Sequence, residues 1–354
     1  MKSNIGNIKI KGLVGAIPKN ISFFDDEINN YSHDKNSSKK LKKMMGYDQH
    51  RVVDSNLCVS DFAKEIFQHC MNKKLFNSEK IDAIILVTQT PDYIIPPTSA
   101  ILHGNFDLNE NCYCVDINDG CNGYVKGLFQ AASLVRSSDA KKILLISGDV
   151  LSRKVSKKDR NSYPLIGDAL TFTLIEENDK EDCYYPLEIL YNGAQYESLI
   201  IPAGGMKTPT NDKTSKEKID SEGNIRSLDN LVMNGRDVFS FTQTTVASFI
   251  DYFLKKHSQF DIDYYFLHQA NEFIIDRIRK KFNLNKDILP SEVISKFGNS
   301  SSATIPMSLI NKFYKTSINE LDFNVFLAGF GVGLSWGAAI TKVNQIDFCD
   351  LIEI

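Results

Sequence analysis

The chain has 354 residues, 42% of them hydrophobic and 24% charged, an ordinary globular balance with room for one large domain or two fused halves. A net charge of −3 gives no case for nucleic-acid binding, and no apolar run approaches the ~20 residues that span a bilayer. The seven cysteines form no CxxC pair, which speaks against a zinc site or a disulfide framework. With no leader-like segment in Met1–Gly15, they predict a cytoplasmic protein that does not insert into a membrane.

In chain order, the polar stretch 29–43, with lysines at 39, 40, 42 and 43, reads as a solvated helix face. Residues 81–88 form a buried strand, 100–106 a helix, 112–117 a strand carrying Cys112 and Cys114 on one face, and 123–135 a helix. Strands follow at 142–147 and 170–175. Continuous apolar runs separated by helices predict an α/β protein whose sheets are covered on both faces. The theme returns with a strand at 263–267, a helix at 271–282 and strands at 325–328 and 338–341. Ile81-Asp-Ala-Ile-Ile and Ile262-Asp-Tyr-Tyr-Phe begin alike, a weak sign of a duplicated unit. Between the halves, 204–234 is a polar excursion and not a linker to an independent domain.

Four segments carry candidate chemistry. Cys121 lies where a strand passes through Gly120 into a helix, so its sulfur faces a helix N-terminus. Unpaired N–H groups and the helix dipole there favour a thiolate and could polarise a thioester carbonyl. A small buried core residue is the plainer alternative. His268 follows an apolar strand, where α/β proteins place working residues, although a structural histidine fits as well. Asn299, in Gly298-Asn-Ser-Ser, is either a helix N-cap or a neutral donor aimed at a carbonyl oxygen. Residues 328–337 form a glycine-rich bend between strands. It is not a P-loop, because no lysine with Ser or Thr follows.

Taken together and in order, these segments resemble the β-ketoacyl-ACP synthase III family. Gly120-Cys-Asn-Gly-Tyr124 is similar to its nucleophile element, and His268-Gln-Ala-Asn271 to its histidine signature. Gly298–Ser301 and Gly329-Phe-Gly-Val-Gly-Leu-Ser-Trp-Gly337 match its later motifs, as do Thr90-Pro-Asp-Tyr and Gly148-Asp-Val-Leu-Ser-Arg153. The likeness runs from about Gly12 to about Lys342. It implies a thiolase fold, duplicated βαβαβ halves (1–180 and 181–354) stacked in five layers, αβαβα, and a homodimer. It implies Cys121, His268 and Asn299 as the catalytic set, with backbone amides of Cys121 and of the Gly331–Gly333 turn holding the acyl oxygen. Substrate contacts are implied at Arg160, Asn271, Ile95 and Phe330, and carrier docking at Arg277, Lys280 and Lys281, to which the adjoining Arg279 is added.

The implied partners are acyl carrier protein (ACP) and acyl-CoA or acyl-ACP, and the implied reaction needs no cofactor beyond the phosphopantetheine thioesters it consumes. Departures bear on the donor. The family's tryptophan over the CoA adenine has no counterpart in Lys39–Gly46, with Tyr47 the nearest ring, while Arg160 opposite it is retained. A specialised paralogue serving surface glycan or secondary metabolism, or a non-condensing acyltransferase, is the alternative within the fold. A hydroxymethylglutaryl-CoA synthase would need a glutamate near Cys121, where Asp119 is the nearest acid. A thiolase would need a second cysteine where Val332 and Leu334 stand.

Overall fold

The computed structural model describes residues 1–31, 33–54, 56–178, 183–317 and 321–354. The boundary expected at 180/181 falls outside the described residues. Two mixed sheets dominate. The first orders its six strands Phe348–Glu353, Ile8–Ile17, Ala169–Glu177, Lys142–Asp149, Ala83–Val87 and Tyr113–Ile117. The second orders five: Lys2–Asn4, Pro186–Tyr191, Ser335–Asn344, Asp322–Gly331 and Tyr264–Leu267.

The duplication hinted at by two short sequence runs is plain in the pairing. In the first sheet Ile8–Ile17, Ala169–Glu177 and Lys142–Asp149 are successively antiparallel, and Ala83–Val87 then joins parallel. In the second sheet Pro186–Tyr191, Ser335–Asn344 and Asp322–Gly331 repeat this, and Tyr264–Leu267 joins parallel. The shared aspartate has a shared task. Asp82 Oδ2 accepts from the Lys142 N–H and Asp263 Oδ2 from the Asn324 N–H, both at 2.8 Å, each tying down the start of the neighbouring strand. The termini cross over: Lys2–Asn4 completes the second sheet and Phe348–Glu353 the first.

Alternation along each strand builds the layers. Ile85, Val87, Ile143 and Leu145 face inward onto the helices Gly123–Ser137 and Thr304–Phe313, which also receive Phe266, Val325 and Leu327 from the second sheet. Ile84, Leu86, Leu144 and Ile146 face outward onto Val59–Asn72 and Thr98–Asn105. Leu267, Phe326 and Ala328 face outward from the second sheet onto Ala247–Lys256 and Glu272–Phe282. The result is helix, sheet, helix, sheet, helix, which explains the two-sided apolar runs. Among the described residues, no helix is long and apolar enough to cross a membrane.

The 204–234 excursion folds back on the body. Its hairpin Lys218–Ile219/Ile225–Arg226 clasps the segment between the strands Lys142–Asp149 and Ala169–Glu177 through Arg226–Asp159 at 2.7 Å and Lys158–Glu217 at 2.6 Å. Its tail Val232–Met233 pairs with Leu199–Ile200.

Candidate active site

Cys121 stands between the strand Tyr113–Ile117 and the helix Gly123–Ser137, one residue before the N-cap Asn122. The turn of the hairpin Asp322–Gly331/Ser335–Asn344 crosses over it from the second sheet. A Cβ on Gly331 would sit 2.6 Å from both Cβ and Sγ of Cys121, and one on Gly329 would sit 2.6 Å from Asn122 Cα. Close approach therefore demands these glycines. Within this bend only Gly333, with φ of 128°, is needed for its backbone conformation.

The backbone N–H of Val332 and that of Cys121 itself act on the sulfur. The sequence expects the second amide from the Gly331–Gly333 turn, and Val332 is the middle residue of that turn. The direction of the thiol's shift departs from expectation. Burial pushes Cys121 up to about 11, because removing a thiolate from water costs more than these amides and one helix terminus offset.

His268 follows Tyr264–Leu267, and its N–H bonds the Ala328 carbonyl at 2.8 Å. Its imidazole stands edge-on to Phe330, and burial pushes its pKa down to about 3, so the ring is neutral at pH 7. Nδ1 lies 2.7 Å from Thr304 Oγ1, whose hydroxyl also lies 2.9 Å from the Ser301 carbonyl. One hydroxyl proton serves two acceptors. Given to Nδ1, it leaves the imidazole proton on Nε2; given to Ser301, it leaves Nε2 bare.

Asn299 is pinned to the first half. Its N–H donates to the Leu165 carbonyl at 2.7 Å, and its own carbonyl accepts from Gly167 at 3.1 Å. Its Oδ1 accepts from the Ser301 N–H at 2.9 Å, which leaves the Nδ2 amide as the donating end. Asn299 is therefore not a helix N-cap, a place Ser300 holds; its Oδ1 closes a local turn with Ser301 and its other end is free to donate.

Cys121, His268, Asn299, Asn271, Phe330 and Gly331 line one small cavity. A second cavity of about 400 Å³ opens from Cys121, Asn299 and Gly333 and is walled by Leu151, Ile166, Leu199, Ile201, Leu231 and Met233. Leu231 and Met233 are tail residues of the polar excursion. Its apolar end, Leu231-Val-Met233, was the available sequence signal for that wall.

The remaining expected site residues lie elsewhere or do other work. Asn271 lines the small cavity, but its Oδ1 caps the helix Glu272–Phe282 through the Ile274 N–H. Arg160 donates to Ser37 Oγ at 2.9 Å and lines neither cavity. Ile95 is 82% exposed and also lines neither. Arg277, Lys280 and Lys281 are exposed on the helix that follows His268, with Arg277 over the Phe273 ring. Arg279 between them is buried on the Leu289 carbonyl and Ser291, so it is a strut and not a docking residue. Asp119, the nearest acid in sequence, is paired with Lys126.

Substituting Gly331→Ala should slow modification of Cys121 by about a hundredfold, the scale of an ångström's misplacement, with the fold retained. Intact-mass kinetics of acylation would read this, and a wild-type rate would contradict the close-packing explanation.

Residues 115–188 match the family model described as 3-oxoacyl-[acyl-carrier-protein (ACP)] synthase III, and residues 255–343 match its C-terminal counterpart. A Campylobacter jejuni protein provisionally named 3-oxoacyl-[acyl-carrier-protein] synthase 3 is 33% identical over 98% of this chain and 97% of its own length. The beta-ketoacyl-[acyl-carrier-protein] synthase III of Fusobacterium nucleatum is 32% identical over 95% and 98%. The crystal structure of a 3-oxoacyl-(acyl-carrier protein) synthase from Burkholderia xenovorans superposes with a TM-score of 0.90 at 28% identity, covering 100% of this chain and 99% of that one.

Proposed function

This chain belongs to the β-ketoacyl-[acyl-carrier-protein] synthase III family, with its thiolase fold, and from that premise we propose a decarboxylative condensation of an acyl thioester with malonyl-ACP. The observation that carries the reading is the single cavity joining Cys121 of the first half to His268 and Asn299 of the second.

Cys121 takes the acyl group. The Cys121 and Val332 amides hold the oxygen that becomes negative as sulfur adds to the carbonyl. Malonyl-ACP then loses CO₂, and the bond's electrons move onto the thioester as an enolate. His268 through Nε2–H, with Thr304 bonded to Nδ1, and Asn299 through Nδ2 donate to that oxygen. A neutral imidazole suffices, because the task is donation and not proton release. The enolate carbon attacks the acyl-enzyme, Cys121 leaves, and 3-oxoacyl-ACP departs. Every charge in this sequence has a protein donor, so the chemistry calls for no metal or organic cofactor. Phe330, edge-on to His268, keeps the malonyl end dry.

The carrier docks, on this reading, at Arg277, Lys280 and Lys281, exposed cations on the helix that follows His268, which attract an acidic protein. The exposed Tyr93, Ile94 and Ile95, and the strand Tyr113–Ile117 paired on one side only, suit a homodimer. The cysteine usage suits the cytoplasm. A second reading, a paralogue making a specialised acyl chain, is favoured by one observation: Leu231 and Met233 of the excursion wall the larger cavity, so that insertion shapes the acyl pocket.

The half-reactions separate the roles. His268→Ala or Asn299→Ala should slow malonyl decarboxylation roughly a hundredfold, the usual loss for one such donor, while acylation of Cys121 survives better. Impaired acylation with normal decarboxylation would reverse the assignments.

The donor is carried on ACP in this reading. Tyr47 is only 3% exposed, which removes it as a stacking ring for a nucleotide opposite Arg160. For one acyl group offered on both carriers, kcat/KM should be higher on ACP. Equal or better use of acyl-CoA would refute the preference.

A further inference from the structure

We propose that His50, anchored by Glu27, is a positioning residue for Asn299. It fixes the segment 165–167 that carries the Asn299 backbone, and so the place of the amide that meets the enolate oxygen. The inference rests on the donor role assigned above to Asn299.

His50 lies in the short strand Gln49–Arg51 and is 1% exposed. Its imidazole bridges two groups. Nε2 lies 2.8 Å from Oε1 of the buried Glu27, and Nδ1 lies on the Ile166 carbonyl. Tyr31 donates to the other Glu27 oxygen at 3.4 Å, and the Tyr163 ring stands edge-on to the imidazole at 5.2 Å between centroids. A carbonyl and a carboxylate only accept, so the bridge takes an N–H at each end of the ring. With Nδ1 bare, a lone pair would face the Ile166 oxygen. A buried ion pair adds little stability, because desolvation of both charges takes back most of the attraction. What this pair does is hold a carbonyl in place.

That carbonyl belongs to the segment on which Asn299 rests. Ile166 pairs with Asn299 as an isolated parallel bridge. The Asn299 N–H donates to the Leu165 carbonyl at 2.7 Å, and the Gly167 N–H donates to the Asn299 carbonyl at 3.1 Å. Packing closes the same triangle. A Cβ on Gly298 would lie 2.9 Å from His50 Cβ and 2.8 Å from the Gly167 nitrogen. The Asn299 Oδ1 is already committed to the Ser301 N–H, so the Nδ2 donor moves with its backbone. A donor is effective only when held to within about half an ångström of its working place, so a shift of 165–167 is a shift of the donor.

The attachment of the strand does not depend on the imidazole. The Asp168 N–H donates to the Arg51 carbonyl at 2.7 Å and the Val53 N–H to Asp168 Oδ2 at 2.9 Å. His50 lines neither cavity, so its effect on the reaction passes through the segment it holds.

Two amide substitutions separate the two ends of the ring. In His50→Asn the side-chain nitrogen takes the place of Nδ1 and still donates to Ile166. In His50→Gln it takes the place of Nε2, reaches Glu27 and leaves the Ile166 carbonyl without its donor. For malonyl-ACP decarboxylation, kcat should fall about tenfold in His50→Gln with KM changed by less than about twofold, and should recover in His50→Asn. Alkylation of Cys121 by iodoacetamide should keep its wild-type rate in both. Hydrogen exchange at the Asn299 and Gly167 amides should quicken in His50→Gln alone, a readout that involves no reaction. Wild-type decarboxylation in His50→Gln while Asn299→Ala is slow, unchanged exchange, or equal slowing in the two His50 variants overturns the proposal. Quickened exchange in His50→Gln with decarboxylation untouched even by Asn299→Ala would instead sink the donor role of Asn299 and leave the positioning of its backbone standing. If neither His50 variant folds, nitrogen NMR of the wild type carries the test: Nδ1 of His50 should read as protonated, and a bare Nδ1 overturns the proposal.

Discussion

Where the hairpin of the second sheet presses on the nucleophile of the first, there is no space for a side chain. Gly331 lies against the Cys121 sulfur and Gly329 against Asn122, each at a distance that any Cβ would violate. That contact seals Cys121 at 8% exposure, delivers the Val332 amide to the sulfur, and draws Phe330 and His268 into the same cavity. The nucleophile follows the edge strand Tyr113–Ile117 of the first sheet, and the turn that covers it belongs to the central hairpin of the second.

Burial then decides the charge state of the site. It pushes the thiol up and the His268 imidazole down, both from one cause, the loss of water. Among Cys121, His268 and Asn299 the resting state is neutral, and negative charge arises only as sulfur adds or CO₂ leaves. Donors already in place then act in a dry cavity, where they are worth most. Thr304 matters for the same reason: at 2.7 Å from Nδ1 it influences which imidazole nitrogen carries the proton.

Much of this was legible in the sequence. The strands at Ala83–Val87, Lys142–Asp149 and Tyr264–Leu267 show as apolar runs because both faces are covered. Cys121, His268 and Asn299 each follow an element end marked by glycine or an apolar run, and their order carried the family likeness. The crossing of the terminal strands was not legible, since nothing local in Phe348–Glu353 says it will pair with Ile8–Ile17. Nor was the role of Arg279, which differs from Lys280 only in which way the helix turns it. The thiol's pKa went the other way because the helix terminus is a local feature, whereas desolvation is summed over everything packed around it. The acyl-cavity wall joins Leu199, Ile166 and Met233, distant in sequence, and only the fold assembles it.

The most direct test locates the covalent intermediate. The protein is incubated with an isotopically labelled acyl thioester in the absence of malonyl-ACP, digested, and mapped by tandem mass spectrometry. Label on Cys121 alone, and none in a Cys121→Ala variant, is the predicted result. Label on another cysteine as the species that malonyl-ACP discharges, or product formation without any acyl-Cys121, would contradict a site built around this buried thiol.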